Sequence, residues 1–309
     1  MQNWFFIALI APILWSIVNH LDKYMLSKYL KNRGVGALLI FSSLASIVIL
    51  PFIIYFYHSQ IFNVSNTDLV TLLFVGFLSA GAFYFYLEGM NEEEASIVVP
   101  LFQLVPIFGY FLSYLILGES LNIYQILSSM LIISGIIILT IEIDIDNKII
   151  LKKKVLILIT ISSFLFALHD TLFKKVAIIE SFWVSVFWQY ASLVIFGILI
   201  LIFIKKFRKD FFAMFSGMGV KILSINITSE ILYILGNLAN NFATLLAPVA
   251  IVLVVSSYQP FFVFIGGIFL TIFLPKFVSE KISNKHLIHK LISILIIIIG
   301  SYLLYSSSS

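Results

Sequence analysis

Ten apolar runs, each long enough to cross a bilayer, fill almost the whole chain: residues 4–26, 34–57, 68–90, 95–117, 122–142, 154–176, 183–204, 220–241, 245–273 and 287–305. The hydrocarbon core of a bilayer takes about 20 apolar residues as a helix. Backbone in lipid must satisfy its own hydrogen bonds, so runs of this length read as helices rather than strands. They leave short loops in a chain of 309 residues, with no room for a separate soluble domain. Composition agrees: 61% hydrophobic, 11% charged, mean hydropathy +1.11, where a soluble domain has about 25% charged residues. The expected fold class is all-α integral membrane, with ten transmembrane helices. The first run, from Trp4 to Val18, has no basic residue before it and no small-residue cleavage site. It reads as the first helix rather than a signal peptide.

The sequence argues against several chemistries. It has no cysteine, which removes disulfides, thiolate catalysis and Cys-ligated metal. It has no Gly-rich phosphate loop and no His-Glu-x-x-His pair. Of its five histidines only His286 and His289 are close together. No enzyme activity, cofactor or metal is expected. The net charge of +4 sits in loops, where membrane topology accounts for it, so no nucleic-acid partner is expected.

The break at 142–154, acidic and then basic, divides the chain nearly in half, and the halves look related. Leu14-Trp15-Ser16 with Asn19 and Lys23 aligns with Leu165-Phe166-Ala167 with Asp170 and Lys174, and Pro106 aligns with Pro260. The expected organisation is one repeat over 1–147 and a more divergent one over 148–309. Five helices per repeat is odd, so the second would lie inverted relative to the first. Such repeats mark secondary transporters, with substrate near the midplane between them.

All but Lys174 and Lys175 of the 19 Lys and Arg residues cluster around the loops after the first, fifth, seventh and ninth spans. The positive-inside rule makes those loops cytoplasmic and both termini external. The Ile-, Lys- and Asn-rich composition suits a prokaryotic chain, which points to the cytoplasmic membrane.

Residues 84–139 carry the sharpest motif. Tyr86-Leu87-Glu88-Gly89-Met90 is followed by Glu94-Ala95-Ser96, Val105-Pro106, Leu117-Gly118-Glu119 and an apolar span containing Gly135. This series resembles the EamA repeat of the drug/metabolite transporter superfamily. Trp15 early in the first span and a Lys ending it also match. The second half keeps Ala247-Pro248-Val249-Ala250 and Pro260, but an insertion through Leu274-Pro275-Lys276 replaces Gly-Glu. The resemblance implies a ten-helix bundle around a central cavity that exchanges or exports small metabolites: amino acids, nucleosides, sugars or drugs. It also implies cytoplasmic termini, against the charge reading.

Polar groups inside spans mark a pathway, because lipid penalises them. Trp15, Asn19 and Lys23 are four apart and share one helix face, and Phe166, Asp170 and Lys174 repeat that face. An aromatic can stack on a flat substrate or hold a cation, and an amide or carboxylate fixes its orientation. Near helix ends the two lysines are also placed to snorkel. Asn226, Glu230 and Asn237 form a polar stripe on the eighth span. Gln103, Gln189, Gln259, Tyr86, Tyr190 and Tyr258 are further cavity candidates. His169, Asp170 and Glu230 are the candidates for proton coupling. His20 and Asp22 are expected to pair with Lys or backbone carbonyls, Glu88 to sit at the interface, and Glu92 in a solvated acidic turn. Gly118 and Glu119 are expected to be structural, the carboxylate meeting a helix N-terminus. Pro106 and Pro260 are expected to kink their helices.

The leading expectation is a secondary transporter for a small molecule, with a proton or counter-substrate as coupling partner. A flippase for a lipid-linked sugar or other amphiphile is the alternative. An intramembrane enzyme would need a catalytic pair in reach, and a dry interior without convergent polar groups would favour a structural or assembly role.

Overall fold

The computed structural model describes residues 3–28, 35–92, 101–102, 104–140, 153–217, 220–273 and 284–307. Gln103, Glu94 to Ser96 and the 274–283 insertion lie outside them, as do the side chains of Asp22, Lys23, His286 and His289. Among the described residues every regular element is helical: α1 (Asn3–Lys28), α2 (Val35–Ala45), α3 (Leu50–Ile61), α4 (Asn66–Glu92), α5 (Leu104–Leu117), α6 (Ile123–Thr140), α7 (Lys153–Ala177), α8 (Phe182–Phe203), α9 (Lys205–Gly217), α10 (Val220–Leu246), α11 (Val249–Ser256), α12 (Gln259–Phe273) and α13 (Asn284–Ser307). Five described stretches are long and apolar enough to cross a membrane, and α2 with α3 makes a sixth if the bent pair is one span.

The outer surface is built for lipid. On α1, Phe6, Ile10, Ile13 and Ile17 are exposed while Ala8, Ala11 and Val18 are buried. The two stripes follow the helical period. With water outside, such a large exposed apolar surface would be a liability.

Three spans depart from the simple apolar pattern, each beside a proline. The second is broken by a short 3-10 turn, Ser46–Val48, with α2 and α3 bent by 51°. Pro51 sits in the first turn of α3, where its missing N–H is tolerated. The eighth span runs on to Leu246, so the ninth starts at Val249 rather than 245, with Pro248 as its N-cap. The ninth then breaks at Ser257–Tyr258, and Pro260 lies in the first turn of α12. Pro106 lies likewise in the first turn of α5. The expected kinks at these two prolines are therefore helix starts, because a first turn needs no N–H from them.

The segment after Phe203, expected as a loop, contains α9. Phe207 and Phe211, four apart, pack into a cluster with Leu39, Ile40 and Ile200, while Lys205, Lys206 and Lys209 stay exposed. Apolar on one face and basic on the other, α9 is suited to lying along the interface rather than crossing it.

Helix pairing organises the bundle. The most extensive packing joins α1 to α10, α4 to α7, and α6 to α13. Further packing joins α5 to α7, α12 to α1, α5 to α11, and α8 to α2, α3 and α4. Small residues set the close approaches. A Cβ on Gly135 would lie 2.9 Å from Ile297 Cγ1, and one on Gly300 would lie 2.8 Å from Ile132 Cγ1. Each glycine thus faces the residue one helical turn before the other, as two antiparallel helices require. Between α4 and α8 the approach is tighter. A Cβ on Gly76 would lie 2.5 Å from Ser192 Cβ and 2.7 Å from the Gln189 carbonyl oxygen. Ser192 donates to the Leu73 carbonyl at 2.5 Å across the same seam. Gly76→Ala is expected to force the helices apart and destabilise the protein by about 1–3 kcal/mol, read as a lower unfolding midpoint in detergent. An unchanged midpoint would contradict this packing.

Candidate functional site

The helices enclose a central cavity of about 230 Å³. Its lining comes from α1, α2, α4, α5, α7, α10, α11 and α12, so both halves of the chain contribute. Trp15, Asn19, Phe166, His169, Asp170, Glu230, Gln259 and Pro260 all line it. Asn226 and Tyr258 are buried but are not among the lining residues. Tyr258 hydrogen-bonds Ser301 of α13.

One wall is aromatic and continuous. Trp15 lies 6.4 Å from Tyr233 between ring centroids, Tyr233 6.3 Å from Phe83, and Phe83 6.2 Å from Tyr86. Tyr86 then meets Phe102 at 5.1 Å, and Phe102 meets Phe166 at 6.4 Å. The chain of rings joins Trp15 to Phe166, the two positions that the sequence pairs across the halves. Trp15 reaches its place because α10 carries Gly236 beside it: a Cβ there would lie 2.6 Å from the indole nitrogen. That nitrogen is buried without a hydrogen bond.

The polar side centres on Asp170. Asn241 donates to Gln189 Oε1 at 3.0 Å, which leaves the Gln189 amide nitrogen facing His169 Nε2 at 2.9 Å. An amide nitrogen only donates, so Nε2 accepts and the ring proton sits on Nδ1. His169 Nδ1–H then donates to Asp170 Oδ1 at 2.9 Å. From the other side Ser256 donates to Asn240 Oδ1 at 2.7 Å, and Asn240 donates to Asp170 Oδ2 at 3.3 Å. Two arms of donors thus converge on one carboxylate, with α7, α8, α10 and α11 all contributing. His169, Asp170, Gln189, Asn240 and Asn241 are each less than a tenth exposed. Glu230 is the second carboxylate of the lining and accepts from the Ser42 hydroxyl. No Lys or Arg is among the described lining residues.

Other polar groups singled out in the sequence lie away from the cavity lining. His20 meets the Val263 carbonyl of α12 at 3.1 Å, a structural contact between helices. Lys174 is turned away from the cavity: it pairs with Glu119 at 2.5 Å and donates to the Ala247 carbonyl at 2.8 Å. Glu119 also accepts from the Val249 N–H at 2.8 Å. The carboxylate therefore meets the start of α11, not of the helix that follows it in sequence. Gly118 supplies the turn with φ 68°, and its N–H closes the last turn of α5 on Tyr114. Glu92 pairs with Lys154 at 2.6 Å on the surface.

Sequence reasoning missed Phe83, Tyr233, Asn240 and Asn241. The signal was present on α10, where Asn226, Glu230, Tyr233, Asn237 and Asn241 recur every three or four residues. Phe83 and Phe102 carried no such signal, because phenylalanine is common on every face of these helices.

Comparison with known proteins agrees with this picture. Residues 2–141 match the model of the EamA-like transporter family. A solved crystal structure aligns with a TM-score of 0.62 at 12% identity, covering 98% of this chain and 96% of that one. At that identity the likeness concerns the fold, which extends over both halves. No curated protein matches the chain. The likeness to the EamA-like transporter family is thus carried by residues 2–141 of this multi-pass membrane protein.

Proposed function

We propose that this chain is a secondary transporter that moves a small amine-bearing solute across the membrane by alternating access around the central cavity. The observation that carries this reading is the lining: two carboxylates, Asp170 and Glu230, set against an unbroken aromatic wall, with no Lys or Arg among the described lining residues. Carboxylates complement a protonated amine, and ring faces attract cations and stack on flat groups. Asp170, His169 and Glu230 are also the titratable groups through which a proton could be exchanged against the solute.

Alternating access rests on two inverted five-helix halves, the first from α1 to α6 and the second from α7 to α13. The packing supports that symmetry. Exchanging the halves turns the α1–α10 contact into α7–α4, and the α12–α1 contact into α5–α7. The α6–α13 contact maps onto itself, and so does the contact between the fourth and ninth spans, made by α5 and α11. The reciprocal Gly135–Ile297 and Gly300–Ile132 contacts obey the same exchange. The breaks before α5 and α12 place a proline-started helix at matching positions in each half. The basic α9 supports a cytoplasmic location for its end of the bundle.

The test is a matched set of ligands on the purified protein: an aromatic amine, its neutral isostere and its carboxylate analogue. The amine is expected to raise the unfolding midpoint selectively, and proteoliposomes are expected to exchange it with labelled amine. Equal stabilisation by the neutral or acidic analogue would remove the substrate class. Selective binding without exchange would remove transport.

A further inference from the structure

A second, smaller chamber of about 20 Å³ lies beside the central cavity, where α2, α4, α8 and α10 meet. The two share Ser42, Ser79, Phe83, Glu230 and Tyr233 as walls. Its polar groups are all oxygens. Ser42, Ser43 and Ser46 come from α2 and the turn after it, Ser79 from α4, Tyr190 from α8, and Glu230 and Tyr233 from α10. No lining side chain carries a nitrogen. Tyr190 is 1% exposed, and its hydroxyl has no hydrogen bond of good geometry, although the Asn237 amide is near. Ser43, Ser46 and Ser79 are buried as well.

We propose that this chamber binds a monovalent alkali cation, sodium foremost, held by the Glu230 carboxylate and the serine hydroxyls. An all-oxygen donor set selects hard cations. One carboxylate balances one positive charge, whereas sites for calcium and similar ions draw on several carboxylates. Among the described residues no cluster of three His, Asp or Glu exists that would hold a transition metal. The volume suits one water-sized species, which is room for one dehydrated monovalent cation.

The backbone strengthens the assignment. α2 ends at Ala45 beside the chamber, and the span is broken there by the 3-10 turn at Ser46–Val48. The end of a half-helix turns its carbonyls and the negative pole of its dipole toward the break. Broken helices of this kind supply cation ligands in secondary transporters. The serine hydroxyls stay available as ligands even where they donate: Ser42 donates to Glu230 and Ser46 to the Ser42 carbonyl at 3.3 Å, and each oxygen keeps its lone pairs. Tyr190 brings a further buried oxygen. Because Glu230 faces both spaces, a bound cation changes the charge presented to the central cavity, and solute binding is thereby coupled to sodium.

The test needs no solute, so it stands or falls apart from the transport reading. The full-length protein is purified without sodium, and its unfolding midpoint is followed while sodium, lithium, potassium or N-methylglucamine chloride is added at constant ionic strength. Sodium is expected to raise the midpoint saturably, lithium to a lesser degree, and the other two not at all. Ser43 lines the small chamber and not the central cavity. Ser43→Ala is therefore expected to raise the half-saturating sodium concentration several-fold while leaving amine binding in sodium-free buffer unchanged. Glu230→Gln is expected to abolish the sodium response. An equal response to all four salts, or none to any, would overturn the proposal. So would a wild-type sodium response in Glu230→Gln. If that variant does not fold, Ser43→Ala and Tyr190→Phe decide in the same way, since both retain the carboxylate.

Discussion

Glu119→Ala is expected to destabilise the protein by about 3–5 kcal/mol, the range for removing one partner of a buried ion pair. The side chains of Glu119 and Lys174 are only 14% and 12% exposed. Removing the carboxylate leaves the Lys174 ammonium buried with the neutral Ala247 carbonyl as acceptor and no counter-charge beside it among the described residues. It also takes away the acceptor for the Val249 N–H at the start of α11. Three segments meet at this point: the α5–α6 turn, the end of α7 and the α10–α11 junction. Lys174→Met with Glu119→Ala is expected to be milder than the sum of the single changes, because no unpaired charge remains. Glu119→Gln should fall between wild type and Glu119→Ala, since an amide oxygen still accepts from Val249. Unfolding midpoints of wild type, Glu119→Ala, Glu119→Gln, Lys174→Met and the double variant in one detergent measure this. A Glu119→Ala midpoint equal to wild type would show that the pair does not hold these segments.

This clamp illustrates what a single sequence discloses. Ten apolar runs and a Gly-Glu turn are local patterns, and lipid leaves them few structural options, so the helical fold was legible from spacing alone. That Glu119 is structural was legible too, because Gly118 marks a helix end. That it serves α11 was not, because 130 residues separate Glu119 from Val249 and no local periodicity records a long-range contact. The same distinction holds in the cavity. Trp15, Asn19, Phe166 and Asp170 were found by spacing and internal symmetry, and Glu230 as an acid inside a span. The arms that orient Asp170 come through Gln189, Asn240, Asn241 and Ser256, whose partners lie on other helices. Helix breaks were half legible: a proline announces one, but whether it kinks a helix or begins one depends on where the chain turns. α9 was missed because its four basic residues among apolar ones read as a loop, while Phe207 and Phe211 mark its buried face only once α2 is beside them.

The two halves also divide the labour unequally. The first matches the family model and supplies most of the aromatic wall: Trp15, Phe83, Tyr86 and Phe102. The second, more divergent half supplies both carboxylates and most of the amides. The aromatic wall thus comes mostly from the half that matches the family model and the charge from the other, and the charge should set what the cavity carries.

Asp170→Asn is the change that should expose that chemistry most directly. Asn is nearly isosteric, so packing among α7, α8 and α10 is retained. The charge is lost, however, and an amide nitrogen would face a donor, either His169 Nδ1–H or the Asn240 amide, on one of its two sides. Removing one partner of a buried charge pair costs about 2–5 kcal/mol, so affinity for an aromatic amine should fall by roughly 30-fold or more. Binding of a neutral isostere should change little, because it never used the charge. Glu230→Gln separates the two acids: if Asp170 is the main counter-charge, Glu230→Gln weakens amine binding less than Asp170→Asn does. Titration of each variant with the amine and with its neutral isostere gives all the affinities needed. Equal amine affinity in wild type and Asp170→Asn would place the counter-charge elsewhere and leave the converging donors a purely structural role.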